Sequence, residues 1–282
     1  MREKKGIVIR VLSLHFQYNP AVISPSSPPS FSKENSLGMR FVPIPGLDVL
    51  FGIWHVRVSD FKSFVDATGH DASQEMYAFT KGGWSACGYT WANPGFVQTP
   101  QCPVVGVNWH DAQAFCDWLT KMEGDSYRLP TDAEWSVAAG LAEADAATPK
   151  DKDGKAKGFP WGTQWPPPAG AGNYSGAEAR NLESPADWPV IEGYDDSYPR
   201  TSPAGSFPPN RYGLYDMGGN AWQWCEDWYD GTNEKRVLRG ASWDNAKAED
   251  LLLSKRFPVL PGRRFVSRGF RVVLSPAPPV KL

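Results

Sequence analysis

Apolar and polar positions in this chain change period often and hold each period only briefly. LGMRFVPIP at 38–46 alternates and predicts a first strand, and VLFGIWHV at 49–56 predicts a second. Ser59 is then expected to cap a short helix with Phe61, Phe64 and Val65 inward, stopped by Gly69. Residues 71–103 are rich in Gly and aromatics and read as a long loop. After Asn108, a good N-cap, Ala112, Phe115, Cys116 and Leu119 share one face of a second helix. In RLPTDAEW at 128–135, Thr131 and Glu134 form the capping box of a third helix that sends Trp135 and Val137 into the core. Residues 149–213 show no periodic segment. A connection of that length needs ordering by something else, and bound metal is the usual candidate. WQWCEDW (222–228) then reads as a strand with Trp222, Trp224 and Trp228 on one face. RVLRGASW (236–243) and GFRVVL (269–274) read as closing strands, with Leu251 to Leu253 expected in the core between them.

Composition explains the short periods. Gly 27 and Pro 26 make up about 19% of 282 residues, against roughly 12% in ordinary usage, and there are 13 Trp, 10 Tyr and 14 Phe. That excludes a helical bundle and points to short elements and ordered loops around large rings. A net charge of −2 argues against a basic nucleic-acid surface, so no nucleic acid is expected as partner. No run of 18 apolar residues occurs, so no membrane span is expected. Arg10 interrupts the apolar part of the N-terminus, and no convincing cleavage site follows, which argues against a secretory signal. Residues 1–37 and 276–282 read as Pro- and Ser-containing tails, and 38–275 as one domain. Cys87, Cys102, Cys116 and Cys225 lack metal-ligand spacing. Cys116 lies on an apolar helix face as a free thiol, Cys87 and Cys102 could be free or bridged, and a cytoplasmic location fits four unpatterned cysteines.

Five motifs carry a resemblance: RLPTDAEW at 128–135, FPWG at 159–162, YGLYDMGGNAWQW at 212–224, RVLRGASW at 236–243 and GFRVV at 269–273. In this order they resemble the formylglycine-generating enzyme family, the sulfatase-modifying-factor domain. The resemblance implies an α+β, C-type-lectin-like fold, low in regular structure and with long ordered loops. Active members oxidise a sulfatase cysteine with a copper(I)-binding cysteine pair, a chemistry that soft thiolates favour. Aligned on Gly240-Ala241-Ser242-Trp243-Asp244, those two positions fall on Asn245 and Asp250, and no cysteine follows Cys225. No copper is expected. A second branch of the family holds iron with three histidines, but His15, His55, His70 and His110 are scattered, so no iron is expected either.

Calcium is the cofactor the resemblance does imply, at two structural sites of hard oxygen ligands. The first maps to the side chains of Asn173 and Asp196 and the carbonyls of Tyr174 and Tyr198. The second maps to Asp216, the carbonyls of Gly219 and Ala221, and Gln223, where the family often has Asn at the first position and Glu at the last. The same residues could instead cap turns without metal.

With the copper pair replaced, the expected function is non-catalytic recognition of a protein or peptide ligand by the closing segment. The candidate surface is Trp243, Asp244, Asn245, Lys247, Glu249, Arg256, Phe257, Arg263, Arg264, Phe265 and Arg268, a mix of charge and aromatics suited to such ligands. The segment from Trp243 to GFRVV also resembles, in place and length, the diversified region of variable proteins from bacterial diversity-generating retroelements. The alternative is an oxidoreductase of the same family with non-standard chemistry, although no nucleophile–base pair or metal triad is visible.

Overall fold

A computed structural model describes residues 32–80, 83–142, 146–181 and 188–275. Strands β1 (Lys33–Glu34), β2 (Arg40–Pro43), β3 (Leu50–Gly52), β6 (Ser126–Arg128) and β11 (Val273–Ser275) form an antiparallel sheet in the order β1-β2-β3-β11-β6. The sheet starts at Lys33, inside the stretch expected as tail, and Asn35 is anchored there by accepting the N–H groups of Leu37 and Met39. Residues 1–31 and 276–282 lie outside the described residues. Strands β7 (Trp222–Trp228), β8 (Arg236–Arg239), β9 (Phe257–Val259) and β10 (Arg268–Phe270) form a second sheet in the order β10-β7-β8-β9. There β10 runs parallel to β7 with Arg268 opposite Trp222, and the other pairs are antiparallel.

The expected closing strand GFRVVL is therefore two strands in two sheets, with Arg271 and Val272 between them. Arg271 is fully buried and donates to the carbonyls of Gly52 and Tyr215 and to Gln223 Oε1, which pins the chain where it changes sheets. Gly269 is required here by close approach: a Cβ would sit 2.3 Å from the Val104 carbonyl oxygen.

Helices α1 (Val58–Thr68), α2 (Trp109–Glu123) and α3 (Asp132–Ala138) pack on the sheets. The cap of α1 is Arg57 rather than Ser59, because Asp60 reaches back to accept the Arg57 N–H at 3.0 Å. Gly69 ends the helix in the left-handed region. Asn108 and Asp111 exchange side-chain-to-backbone bonds at 2.9 and 2.8 Å to start α2, and Thr131 with Glu134 does the same for α3. Residues 71–103 are not all loop: β4 (Tyr77–Thr80) and β5 (Gly83–Ala86) pair as a hairpin. Among the described residues of the stretch 149–213, the regular elements are the one-turn helix α4 (Pro149–Lys152) and a 3-10 turn (Ala177–Asn181).

Rings hold the interior. Phe61 lies against Phe64, Trp91, Phe115 and Phe270 at centroid distances of 5.1–6.4 Å, mostly edge-on. A smaller cluster of Met76, Ala78, Ala179, Trp188, Trp243 and Val266 lies under the hairpin. All four cysteines are free thiols, and Cys102, Cys116 and Cys225 are buried.

Candidate functional site

Beside the second sheet lies a cavity of about 530 Å³ that the hairpin helps to wall. Its apolar wall is Trp84 of β5, Trp222 of β7, Phe257 of β9, Leu260 and Phe265. Trp84, Phe257 and Leu260 are exposed at its rim, 45%, 37% and 43% respectively. Trp222 meets Phe257 at 5.7 Å, and Phe265 is held between Tyr77 (5.2 Å) and Trp84 (5.5 Å). The polar lining includes Lys235, Asp244, Asn245, Arg263 and Arg268. Arg263 bonds the Tyr77 hydroxyl, while Arg268 lies between the Phe257 and Phe265 rings. Burial pulls the Arg268 guanidinium down to about 9, with Asp244 opposing the shift, so it is still charged at neutral pH. Burial likewise pushes the Asp244 carboxyl up, although Ser242 donates to it.

Six of the expected surface residues meet here: Asp244, Asn245, Phe257, Arg263, Phe265 and Arg268. The others do not. Trp243 is buried, stacked on Trp188 at 6.0 Å and covered by Arg200. Arg256 is buried against Asp132, and Arg264 is buried against Asp111 and Gln74. Both arginines hold the fold and do not face a ligand. Glu249 is exposed away from the cavity lining. Lys247 borders a smaller hollow of about 150 Å³, together with Asn245 and Asp250. Asn245 Oδ1 turns back to accept the Ser242 N–H at 3.0 Å, closing its own turn. Trp84, Trp222, Lys235 and Leu260 escape the sequence reading. The signal for Trp84 was the alternation in YAFTKGGWSA around a Gly pair, which marks a hairpin.

The two expected calcium sites differ. At the first, Asp196 is buried and accepts the N–H groups of Tyr174 and Tyr198 at 2.8 and 2.9 Å. Burial pushes its carboxyl up to about 7. Asn173 donates to the Arg200 carbonyl at 2.7 Å, but its Oδ1 is buried without a hydrogen-bond partner. An orphaned amide oxygen beside a buried carboxylate is a donor set that fits a hard cation.

At the second, Gln223 Oε1 already accepts from Trp135 Nε1 at 3.0 Å and Arg271 Nε at 3.1 Å, and Nε2 donates to the Asp216 carbonyl. Both lone pairs of that oxygen are taken, one by a guanidinium. The Ala221 carbonyl faces His55 at 2.9 Å. Burial raises Asp216 to about 6, and the positive charge beside it is Arg271. Gly219 keeps its tight turn because a Cβ would lie 2.5 Å from the Asn173 carbonyl oxygen. Asp216 Oδ1 is buried without a hydrogen-bond partner, as Asn173 Oδ1 is, but Gln223 Oε1 is committed to two protein donors, so Gln223 does not offer this site a free side-chain ligand.

Fold and site together define a scaffold with few regular elements and one aromatic, cationic cavity beside its closing strands. The model of the sulfatase-modifying factor enzyme 1-like domain matches residues 48–276, and the chain belongs to that family. A formylglycine-generating enzyme of Thermomonospora curvata is 31% identical over 235 residues, 72% of this chain and 66% of that protein. An inactive C-alpha-formylglycine-generating enzyme 2 of Bos taurus is 36% identical over 153 residues, 53% of this chain and 41% of that protein. The chain thus matches about two thirds or less of these relatives' lengths. Among solved structures, PvdO from Pseudomonas aeruginosa shares the fold with a TM-score of 0.59 and 20% identity, covering 89% of this chain and 99% of that one. Treponema denticola variable protein 1 does so at 0.52 and 20%, covering 86% and 99%.

Proposed function

We propose that this chain is a non-catalytic binding domain that takes a segment of a protein or peptide into the cavity between Trp84, Phe257 and Arg268. The observation that carries this reading is that the cavity gathers six of the residues expected at a ligand surface, while Asn245 and Asp250 stand where the family's copper-binding cysteines fall. The existence of inactive relatives and the likeness in fold to a variable protein support it. No cysteine lines the cavity or the hollow beside it, and burial raises the thiols of Cys116 and Cys225 well above their ordinary range. A photo-crosslinking side chain at Leu260 is expected to capture a ligand protein that the same group at Met122, exposed on α2, does not. Equal capture from both positions defeats the reading. Oxygen uptake with a cysteine peptide and copper or iron, above the metal-only blank, defeats it in favour of an oxidoreductase. A reverse-transcriptase gene and template repeat beside this gene are the mark expected if the closing segment is diversified.

The same reading includes one structural calcium ion, held by the side chains of Asn173 and Asp196 and the carbonyls of Tyr174 and Tyr198. Calcium there would neutralise the buried carboxylate and order the long stretch 149–213.

A further inference from the structure

The guanidinium of Arg268 has chemistry left over. Two rings lie against it, with the Phe265 centroid 3.3 Å and the Phe257 centroid 5.4 Å from Cζ. The residue is only 7% exposed, yet Nε and Nη1 are buried and find no hydrogen-bond partner among the described residues. A charged donor held out of water without an acceptor is costly, so a ligand that supplies the acceptor gains more here than at an exposed arginine. The neighbouring carboxylate, Asp244, already accepts from Ser242. Lys235 and Arg263 add two exposed cations at the lining, so three positive groups face one carboxylate. Apart from Asn245 and Ser267, the rest of the lining is aromatic and aliphatic.

We infer that the cavity recognises a carboxylate carried on an apolar or aromatic body, the carboxylate accepting from the unpaired N–H groups of Arg268 and the body lying against Trp84 and Phe257. This rests on the binding reading above and adds the class of ligand. A peptide's terminal carboxylate and an acidic side chain next to an apolar residue both supply this chemistry. The test follows the arginine Nε–H resonances of the full, nitrogen-15-labelled chain. Three probes are titrated: N-acetyl-phenylalanine, N-acetyl-phenylalaninamide and N-acetyl-aspartyl-phenylalaninamide. At least one of the two acids is expected to bind about ten-fold or more tightly than the neutral amide and to move the Arg268 signal. The tighter acid identifies the source of the carboxylate. Arg268→Gln is expected to abolish the preference for acid. Equal affinity of acids and amide in the native chain overturns the carboxylate claim while leaving the cavity a binding site. Absence of any shift at cavity residues with all three probes at millimolar concentration also overturns it. The binding reading itself fails separately, through the crosslinking at Leu260.

Discussion

Asp132 shows how much a single buried residue carries in this chain. It is 1% exposed and meets Arg239, Arg256 and Lys152. Burial pushes its carboxyl up, but the three cations outweigh that and hold it at about 2, below its ordinary 3.8. The folded state therefore binds this proton less readily than the unfolded chain. Its contribution to stability is present above about pH 4 and is lost as pH falls through about 2. Asp132→Asn is expected to lower stability at neutral pH by about 3–5 kcal/mol in urea unfolding, because it strands the buried cations, and to flatten the acid limb of the native profile. A loss below about 1 kcal/mol would show that the cluster is not held by this carboxylate. The same cluster explains why Arg256 looked like a surface residue in sequence. Its partner Asp132 lies 124 positions away, and Arg264 finds Asp111 across 153, so nothing local distinguishes these arginines from exposed Arg263.

At the scale of elements, what could be read was what is decided locally. Helices α2 and α3 start with a cap and its reciprocal partner three residues on; the caps Asn108 and Thr131 were legible, and so was the partner Glu134, while Asp111 was not singled out. Asn108→Ala is expected to cost about 1 kcal/mol in denaturant unfolding, since it removes the acceptor for the Asp111 N–H. A cost near zero would mean that packing alone fixes the start of α2. The split of GFRVVL into β10 and β11 was not legible, because it depends on Val104 lying against Gly269 and on the fit of Arg271 between two sheets. The hairpin β4–β5 was missed although YAFTKGGWSA carries its local signal, and only where its rings pack depends on distant residues. Its rings pack on Trp188 and Phe265, which lie far along the chain. That miss hid Trp84 and with it one wall of the cavity. Trp84→Ala is expected to change the melting temperature little, because the ring is nearly half exposed. It is also expected to weaken capture at Leu260 about ten-fold. A large fall in melting temperature with capture unchanged would make Trp84 a packing residue only.

Among the described residues the molecule is two sheets joined through Arg271, the separate β4–β5 hairpin, three longer helices with the one-turn α4, and long loops ordered by rings and side-chain hydrogen bonds. High Gly and Pro content pointed to that architecture, and the matched family shares it. The proposed calcium ion at Asn173 and Asp196 acts at this scale, since it would tie Asn173 and Tyr174 to Asp196 and Tyr198. Adding calcium to chelated protein at a hundred times its Kd is expected to raise the melting temperature by about 5–10 °C. Asp196→Ala is expected to remove that response, and an unchanged melting temperature in excess chelator would refute the site. The cavity beside the closing strands is proposed to bind a protein segment and to do no chemistry. Titration of a peptide selected by display on the native chain, into that chain and into Phe257→Ala with an unchanged melting temperature, tests it most directly. The variant is expected to bind at least about ten-fold more weakly, whereas equal affinity for both chains would rule the binding site out.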